Sequence, residues 1–188
     1  MRRIIYGMFV SVDGYIAGPR GEIDWHVIDE ELHRFANERQ AAIDTHLYGR
    51  RMWEVMEYWS TADADPRLAD YARAFARDWQ AARHIVYSRT LERAPKNATL
   101  EREIDPEAIA QLKAQPGKDI EVGGATLAAA FSALGLVDEY WMYVHPVTLG
   151  GGTPMFPAPA DRSRLRLIET RAFRSGVVLL RYERERER

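Results

Sequence analysis

Apolar positions along the chain alternate between two periods. Strand-like runs fall at 2–11 (RIIYGMFVSV), 45–49 (THLYG), 84–88 (HIVYS), 118–122 (KDIEV), 138–147 (DEYWMYVHPV), 164–173 (RLRLIETRAF) and 176–184 (GVVLLRYER). They are rich in the β-branched and aromatic residues that pack well on a pleated surface. Between the earlier runs the spacing turns helical: Leu32, Phe35 and Ala36 form one stripe, and Met52, Val55, Met56 and Trp59 another. Asp65-Pro66 reads as the N-cap and first position of a helix over 66–82, and Asp105-Pro106 does the same for 105–115. Leu127, Ala130, Phe131 and Leu134 mark the last helix, which Gly135 closes.

Strands separated by helices predict an α/β sheet covered on both faces. The final two strands break that rhythm, because only Arg174 and Ser175 stand between them before Gly176, the spacing of a hairpin. The expected fold is therefore a three-layer α/β/α sandwich around a mixed, mostly parallel sheet that ends in an antiparallel C-terminal hairpin. It forms a single domain over 1–188, with residues 183–188 (ERERER) read as a solvated, frayed charged tail.

Composition narrows the function classes. A chain of 188 residues can bury a sufficient core without metals or disulfides. The formal net charge of −2 gives no electrostatic reason to expect nucleic acid or an anionic membrane as partner. The absence of cysteine excludes a disulfide framework, a cysteine-ligated zinc site and a cysteine nucleophile, and it fits a cytoplasmic location. The opening MRRIIYGMFVSVDGYIAG reads as a first strand rather than a signal peptide, since no small-x-small cleavage site follows the apolar run. No apolar run approaches the roughly 20 residues that span a bilayer. His26, His33, His46 and His84 lack metal-ligand spacing, so no metal is expected. His145, before Pro146, reads as a strand terminator.

Candidate chemistry gathers where strands hand over to glycine. LYGRRMWE passes from strand through Gly49 into a helix, and IEVGGATL does so through Gly123 and Gly124. A helix start leaves backbone N–H groups unpaired and favours an anion, and glycine allows a phosphate to approach. HIVYSRT ends its strand with Ser88, Arg89 and Thr90, and Arg50 and Arg51 sit at the Gly49 junction. Guanidinium groups match phosphate oxygens in bidentate fashion. The glycine pair is not the G-x-G-x-x-G dinucleotide fingerprint.

In this order, SVDGYIAG, LYGRRMWE, IVYSR, IEVGGATL and LVDEYWMYVHPVTLGGGTPMF resemble the dihydrofolate reductase superfamily. The closer likeness is to the branch holding the C-terminal reductase domain of riboflavin-biosynthesis proteins (RibD). The resemblance implies an NADPH-dependent reductase acting on a small heterocyclic or carbonyl/imine substrate. The related activities are reduction of 5-amino-6-(5-phosphoribosylamino)uracil and of dihydrofolate. It places Gly49, Arg50, Arg51 and Met52 at the cofactor phosphates, Ser88 and Arg89 beside the 2′-phosphate, and Gly123, Gly124, Ala125, Thr126 and Leu127 around the pyrophosphate. Val10 and Ala17 would edge the nicotinamide pocket, and Leu149 to Gly152 would serve backbone freedom.

For proton chemistry, Glu31 stands nearest to the place of the folate-reductase carboxylate, with helix-dipole stabilisation as its alternative, and Asp13 precedes a turn glycine. Arg83 is one residue off the folate-tail arginine. Val122 occupies the place of the riboflavin-branch glutamate, while Glu121 lies one residue earlier and so on the other face of its strand. Trp25, Trp53, Trp59 and Tyr143 are aromatic candidates for a flat-ring pocket, or core. A homodimer is implied by the resembling branch. The alternative function is a catalytically inactive NADPH-binding sensor or interaction module.

Overall fold

The structure, a computed structural model, describes residues 1–157 and 162–185. Its main sheet has eight strands in the order β5-β4-β3-β6-β1-β7-β10-β9. These are β1 (Ile4–Ser11), β3 (Ile43–Gly49), β4 (Arg83–Tyr87), β5 (Thr99–Glu101), β6 (Asp119–Gly123), β7 (Glu139–His145), β9 (Leu165–Ala172) and β10 (Val178–Arg184). The pairings from β5 through β7 are parallel, and β10 runs antiparallel to both β7 and β9. Two short strands, β2 (Tyr15–Ala17) and β8 (Thr153–Pro154), form a separate ribbon.

Alternation along the strands sends side chains to two cores. Ile4, Tyr6, Val10, Leu47, Ile120 and Val122 pack against α4 (Pro106–Ala114) and α5 (Ala125–Ala133). Ile5, Trp141, Tyr143 and Leu179 face the other way, onto Leu32 and Phe35 of α1 (Glu30–Gln40). On that same side Tyr48 and Val86 pack with Trp53 of α2 (Arg50–Met56) and Trp79 of α3 (Asp70–Ala81). Sheet residues thus bury both faces, as a largely parallel sheet requires.

Local signals explain most element ends. Asp29 caps α1 by accepting from Leu32 N at 2.8 Å, and Asp105 caps α4 by accepting from Glu107 N at 2.9 Å. Gly135, at φ +68°, ends α5, with Leu136 N donating back to Phe131 O. The helix expected from Pro66 instead begins at Asp70. The Asp65 carboxylate accepts from the backbone and guanidinium of Arg67, which closes a turn over 65–68 and delays the helix.

The charged tail is corrected in part. Glu183 and Arg184 belong to β10, with Glu183 bonded to Arg166 Nε at 2.9 Å. Residues 186–188 lie outside the described residues. A ladder of alternating charges crosses the sheet at β7. Buried Glu139 accepts from Trp141 Nε1 at 2.7 Å and from Arg181 at 2.9 Å, and it also pairs with Arg3. Arg181 pairs in turn with Glu169, which takes Arg39 of α1 at 3.0 Å.

Candidate active site

The carboxyl ends of β4, β3 and β6 lie side by side, because Gly49 pairs with Tyr87 and Tyr48 with Gly123, while β1, whose Tyr6 pairs with Val122, continues beyond them to Ser11. At β3 and β6 the two following helices leave to opposite faces. α2 packs over the Tyr48 side, and α5 over the Leu47 and Val122 side. Such a switch point opens a crevice beyond the strand ends, where open α/β sheets bind ligands. Neither helix has a side-chain cap at its start, so the first-turn N–H groups of both remain available to a ligand.

The glycine pair has reasons inside the protein as well. A Cβ on Gly123 would stand 2.8 Å from two ring carbons of buried Tyr48. Gly124 adopts φ +93° and ψ 131°, a combination that side chains resist. Of the GGATL segment, Ala125 and Leu127 point into the core, while Thr126 is exposed.

Basic and hydroxyl groups rim the crevice. Arg50 bonds Glu54 at 2.8 Å and reaches Thr90 Oγ1 at 3.3 Å, joining the β3 and β4 ends. Ser88 Oγ accepts from Leu91 N at 3.1 Å and Thr90 N at 3.2 Å, fixing the turn after β4. Arg51 and Arg89 are exposed, and among the described residues neither has an ion pair. Arg51 also reaches an open cleft with Gly18, Arg20, Gly21 and Gly152.

That cleft is shaped by a locked pair of loops. The Asp13 carboxylate accepts from Ser11 Oγ at 2.6 Å, Gly150 N at 2.7 Å and Leu149 N at 3.1 Å. The Ser11 hydroxyl first, then the backbone donors, hold Asp13 below the usual carboxylate range. Gly152, at φ +123°, brings its Cα so near β2 that a Cβ would lie 2.0 Å from Ala17 O. Gly152 of the LGGG turn therefore allows a close backbone approach.

Beside the crevice lies a cavity of about 300 Å³, between α1, α2 and the sheet. Its walls are mostly apolar: Phe9, Leu32, Met56, Trp59, Phe75 and Tyr143. Met52 and Gly123, which stand at the helix junctions, also line it. At its sheet side is a carboxylate, Glu121, opposite the bare backbone of Gly7. Glu121 Oε2 bonds His46 Nδ1 at 2.9 Å, and His46 Nε2 meets the Gln40 amide at 2.8 Å. His46 is fully buried and packs against Tyr48 and His84, with centroids at 5.3 and 5.4 Å.

At another part of the wall His26 packs on Phe9 and His145, at 5.0 and 5.4 Å. His145 Nδ1 accepts from Val27 N at 3.0 Å, which pins the chain before α1 to the end of β7. Burial pushes both imidazoles down to about 4, with His145 adding to the effect on His26, so both are neutral near pH 7.

The expected site residues are thus partly brought together. Gly49, Arg50, Arg51, Met52, Ser88, Arg89, Gly123, Gly124 and Thr126 share the crevice edge. Val10 is fully buried in the α5-side core, and Ala17 sits in the β2–β8 ribbon. Glu31 turns from the cavity onto the C-terminal hairpin, accepting from Arg174 N at 3.1 Å near Arg171. The helix presents Leu32, His33 and Ala36 to the cavity in its place, and the cavity's carboxylate comes from β6. Trp59 and Tyr143 line the cavity, whereas Trp53 is core. Among the described residues no cluster of side chains could hold a metal, and no helix is long and apolar enough to cross a membrane.

Fold and site together define an α/β protein built around a crevice at a sheet switch point. The profile of the RibD C-terminal domain matches residues 2–179, and the chain belongs to that family. It is 37% identical over 184 residues to the uncharacterized protein YyaP of Bacillus subtilis, covering 96% of this chain and 94% of that one. Among solved structures, a putative riboflavin biosynthesis protein from Shewanella sp. PV-4 superposes with a TM-score of 0.73 at 22% identity, covering 99% of this chain and 100% of that one. Dihydrofolate reductase from Enterococcus faecalis, complexed with NADP(H), superposes with a TM-score of 0.64 at 16% identity, over 98% and 97% of the two chains.

Proposed function

We propose that the chain is an NADPH-dependent reductase whose cofactor lies along the switch-point crevice and whose substrate fills the adjoining cavity. One observation carries this reading: Gly123 and Met52 belong both to the helix junctions of the crevice and to the wall of the cavity. A ligand extended across the strand ends therefore arrives at the cavity mouth. The similar fold of a dihydrofolate reductase complexed with NADP(H) supports the choice of cofactor.

The donor set fits a dinucleotide bearing an extra phosphate. The starts of α5 and α2, at Gly124 and Gly49 to Met52, supply unpaired N–H groups for the pyrophosphate. Ser88, Arg89 and Arg50 supply hydroxyl and guanidinium groups for the 2′-phosphate. Val10, fully buried, would back the nicotinamide end from the core, and Ala17, in the β2–β8 ribbon, would stand beside it. Bound NADPH would supply a hydride to an electrophilic carbon of the substrate. The protein's own part is to orient that carbon, exclude water with the apolar walls and place a proton-bearing group. Asp13 and Glu31 are both engaged by backbone N–H groups, which suits them to holding loops in place.

Calorimetry with NADPH, followed by loss of reduced-nicotinamide absorbance against a panel of heterocycles, imines and carbonyl compounds, tests the reading. Saturable binding with turnover of a panel member supports it. Saturable binding without turnover across the panel favours a cofactor sensor, and absence of binding overturns both. The exposed edge strand β9, with Leu165 and Leu167 at its surface, is the place at which a second copy would add to form a homodimer, which sedimentation would detect.

A further inference from the structure

The cavity described above is apolar on nearly every side, yet one carboxylate opens into it. Glu121 projects from β6 at a point where β1 offers only Gly7, whose Cβ position would stand 3.5 Å from Glu121 Oε1. A Cβ there would touch Oε1 at ordinary contact distance, so the glycine leaves that oxygen bare on this side. Oε2 is held by His46, while Oε1 has no partner among the described residues. The carboxylate keeps 24% of its side-chain surface exposed, and its histidine keeps none.

The chain behind Glu121 has a definite sense. The Gln40 amide N–H₂ donates to His46 Nε2, so the imidazole proton sits on Nδ1 and is donated to Glu121. His46 packs against both Tyr48 and His84, with ring planes within 16° of both. The carboxylate is therefore fixed in direction by a buried, fully bonded support, as binding groups that must hold one geometry are. The nearby cation that lines the cavity, Arg39, is bound to Glu169 and lies over Trp141. A lone carboxylate in an apolar slot favours a ligand that brings its own positive charge or paired N–H donors.

We propose that Glu121, oriented by His46, is the substrate-receiving group of this cavity, and that it selects a flat nitrogen heterocycle presenting an amidine-like N–H edge. The proposal rests on the reductase reading for calling the occupant a substrate, but the selectivity itself is a property of the cavity. Glu121 is the residue that contacts the ligand, and His46 and Gln40 are positioning residues. Oxyanion and phosphate groups are disfavoured next to Glu121, so a phosphorylated occupant would have to keep that group outside the cavity.

The test uses the full chain, alone and with NADPH added, and two probes of one outline. One is 2-aminobenzimidazole, which presents an N–H donor edge, and the other is 2-methylbenzoxazole, which presents acceptors only. Calorimetry is expected to show the donor probe binding about tenfold or more tighter, the ratio of a charge-assisted hydrogen bond. Glu121→Gln is expected to abolish that preference while leaving NADPH affinity unchanged. His46→Gln is expected to reduce the preference and to shift its pH profile, which a purely structural change would not do. Should a variant fail to fold, a wild-type carboxyl-carbon NMR shift at Glu121 on adding the donor probe reads the same contact. Equal affinities for the two probes, no binding of either, a preference that survives Glu121→Gln, or an unmoved Glu121 signal each overturn the proposal. NADPH binding is read separately, so its absence would sink the cofactor assignment and not the probe selectivity.

Discussion

Replacing Gly123 by alanine adds a single methyl group at the junction of cavity and crevice. In the present backbone that methyl would lie 2.8 Å from Cδ1 and Cε1 of Tyr48 and 3.1 Å from Cγ of Met52. Met52 can move, but Tyr48 cannot easily do so. Its ring is fully buried, stacked on His46 at 5.3 Å, and its hydroxyl accepts from Trp79 Nε1 at 3.2 Å. The end of β6 must therefore shift by about 0.6–1 Å to restore ordinary contact, and overpacking of this kind costs about 1–3 kcal/mol. For a chain of this length that lowers the melting temperature by about 2–12 °C. The same displacement moves the first turn of α5, so NADPH affinity falls along with stability. Thermal melts and NADPH titrations of Gly123→Ala, Tyr48→Leu and the double variant form a cycle. Relief of the clash by Tyr48→Leu appears as a favourable coupling of about 0.5–3 kcal/mol. A Gly123→Ala protein that melts within about 1 °C of the wild type and binds NADPH equally well would refute the packing argument.

Four further outcomes follow from the geometry. Glu139→Ala removes the acceptor of buried Trp141 Nε1 and one of the two carboxylates on each of Arg181 and Arg3, which keep Glu169 and Asp119, so urea unfolding is expected to show a loss of about 1–3 kcal/mol. Gly150→Ala, at φ +71° with open space around it, is expected to cost about 1–2 kcal/mol by the same measurement. Gly152→Ala is expected to cost more and to open the β2–β8 ribbon to protease, because its Cβ would strike Ala17 O. Acid is expected to weaken the fold between about pH 6.5 and pH 4. Burial depresses His84 and His145 to about 4, so the unfolded chain binds more protons in that window and stability falls as pH is lowered. Each imidazole contributes up to about 1.4 kcal/mol per pH unit there, read from urea midpoints at stepped pH.

Much of this architecture was legible in the sequence, for stated reasons. The change from helical to alternating apolar spacing placed the seven longer strands, and two residues before Gly176 placed the hairpin. The short strands β2, β5 and β8, of two or three residues, carry too little pattern to be read locally; their pairing partners define them. The start of α3 moved because Asp65 satisfies its side chain on Arg67 rather than at the helix. The strand–glycine–helix junctions were readable because one turn encodes each of them.

The cavity was harder to read. Its carboxylate depends on a register, His46 opposite Glu121, between strands 75 residues apart in the chain. The available signal was a pair of ionisable side chains inside otherwise apolar strands. Glu31 is pointed to by the resemblance of ELHRF to the folate-reductase pattern, and its place in the first helical turn is the competing explanation. With Leu32 and Ala36 facing the cavity, a residue one step earlier is rotated by about 100° and lands on the hairpin.

The most direct measurement is a calorimetric titration of NADPH and of NADH into the purified chain and into an Arg50→Ala, Arg89→Ala double variant. The expected result is one saturable site, NADPH preferred over NADH by about tenfold or more through its phosphate contacts, and loss of that preference in the variant. No heat and no thermal protection by NADPH at about 1 mM would contradict the assignment of the crevice.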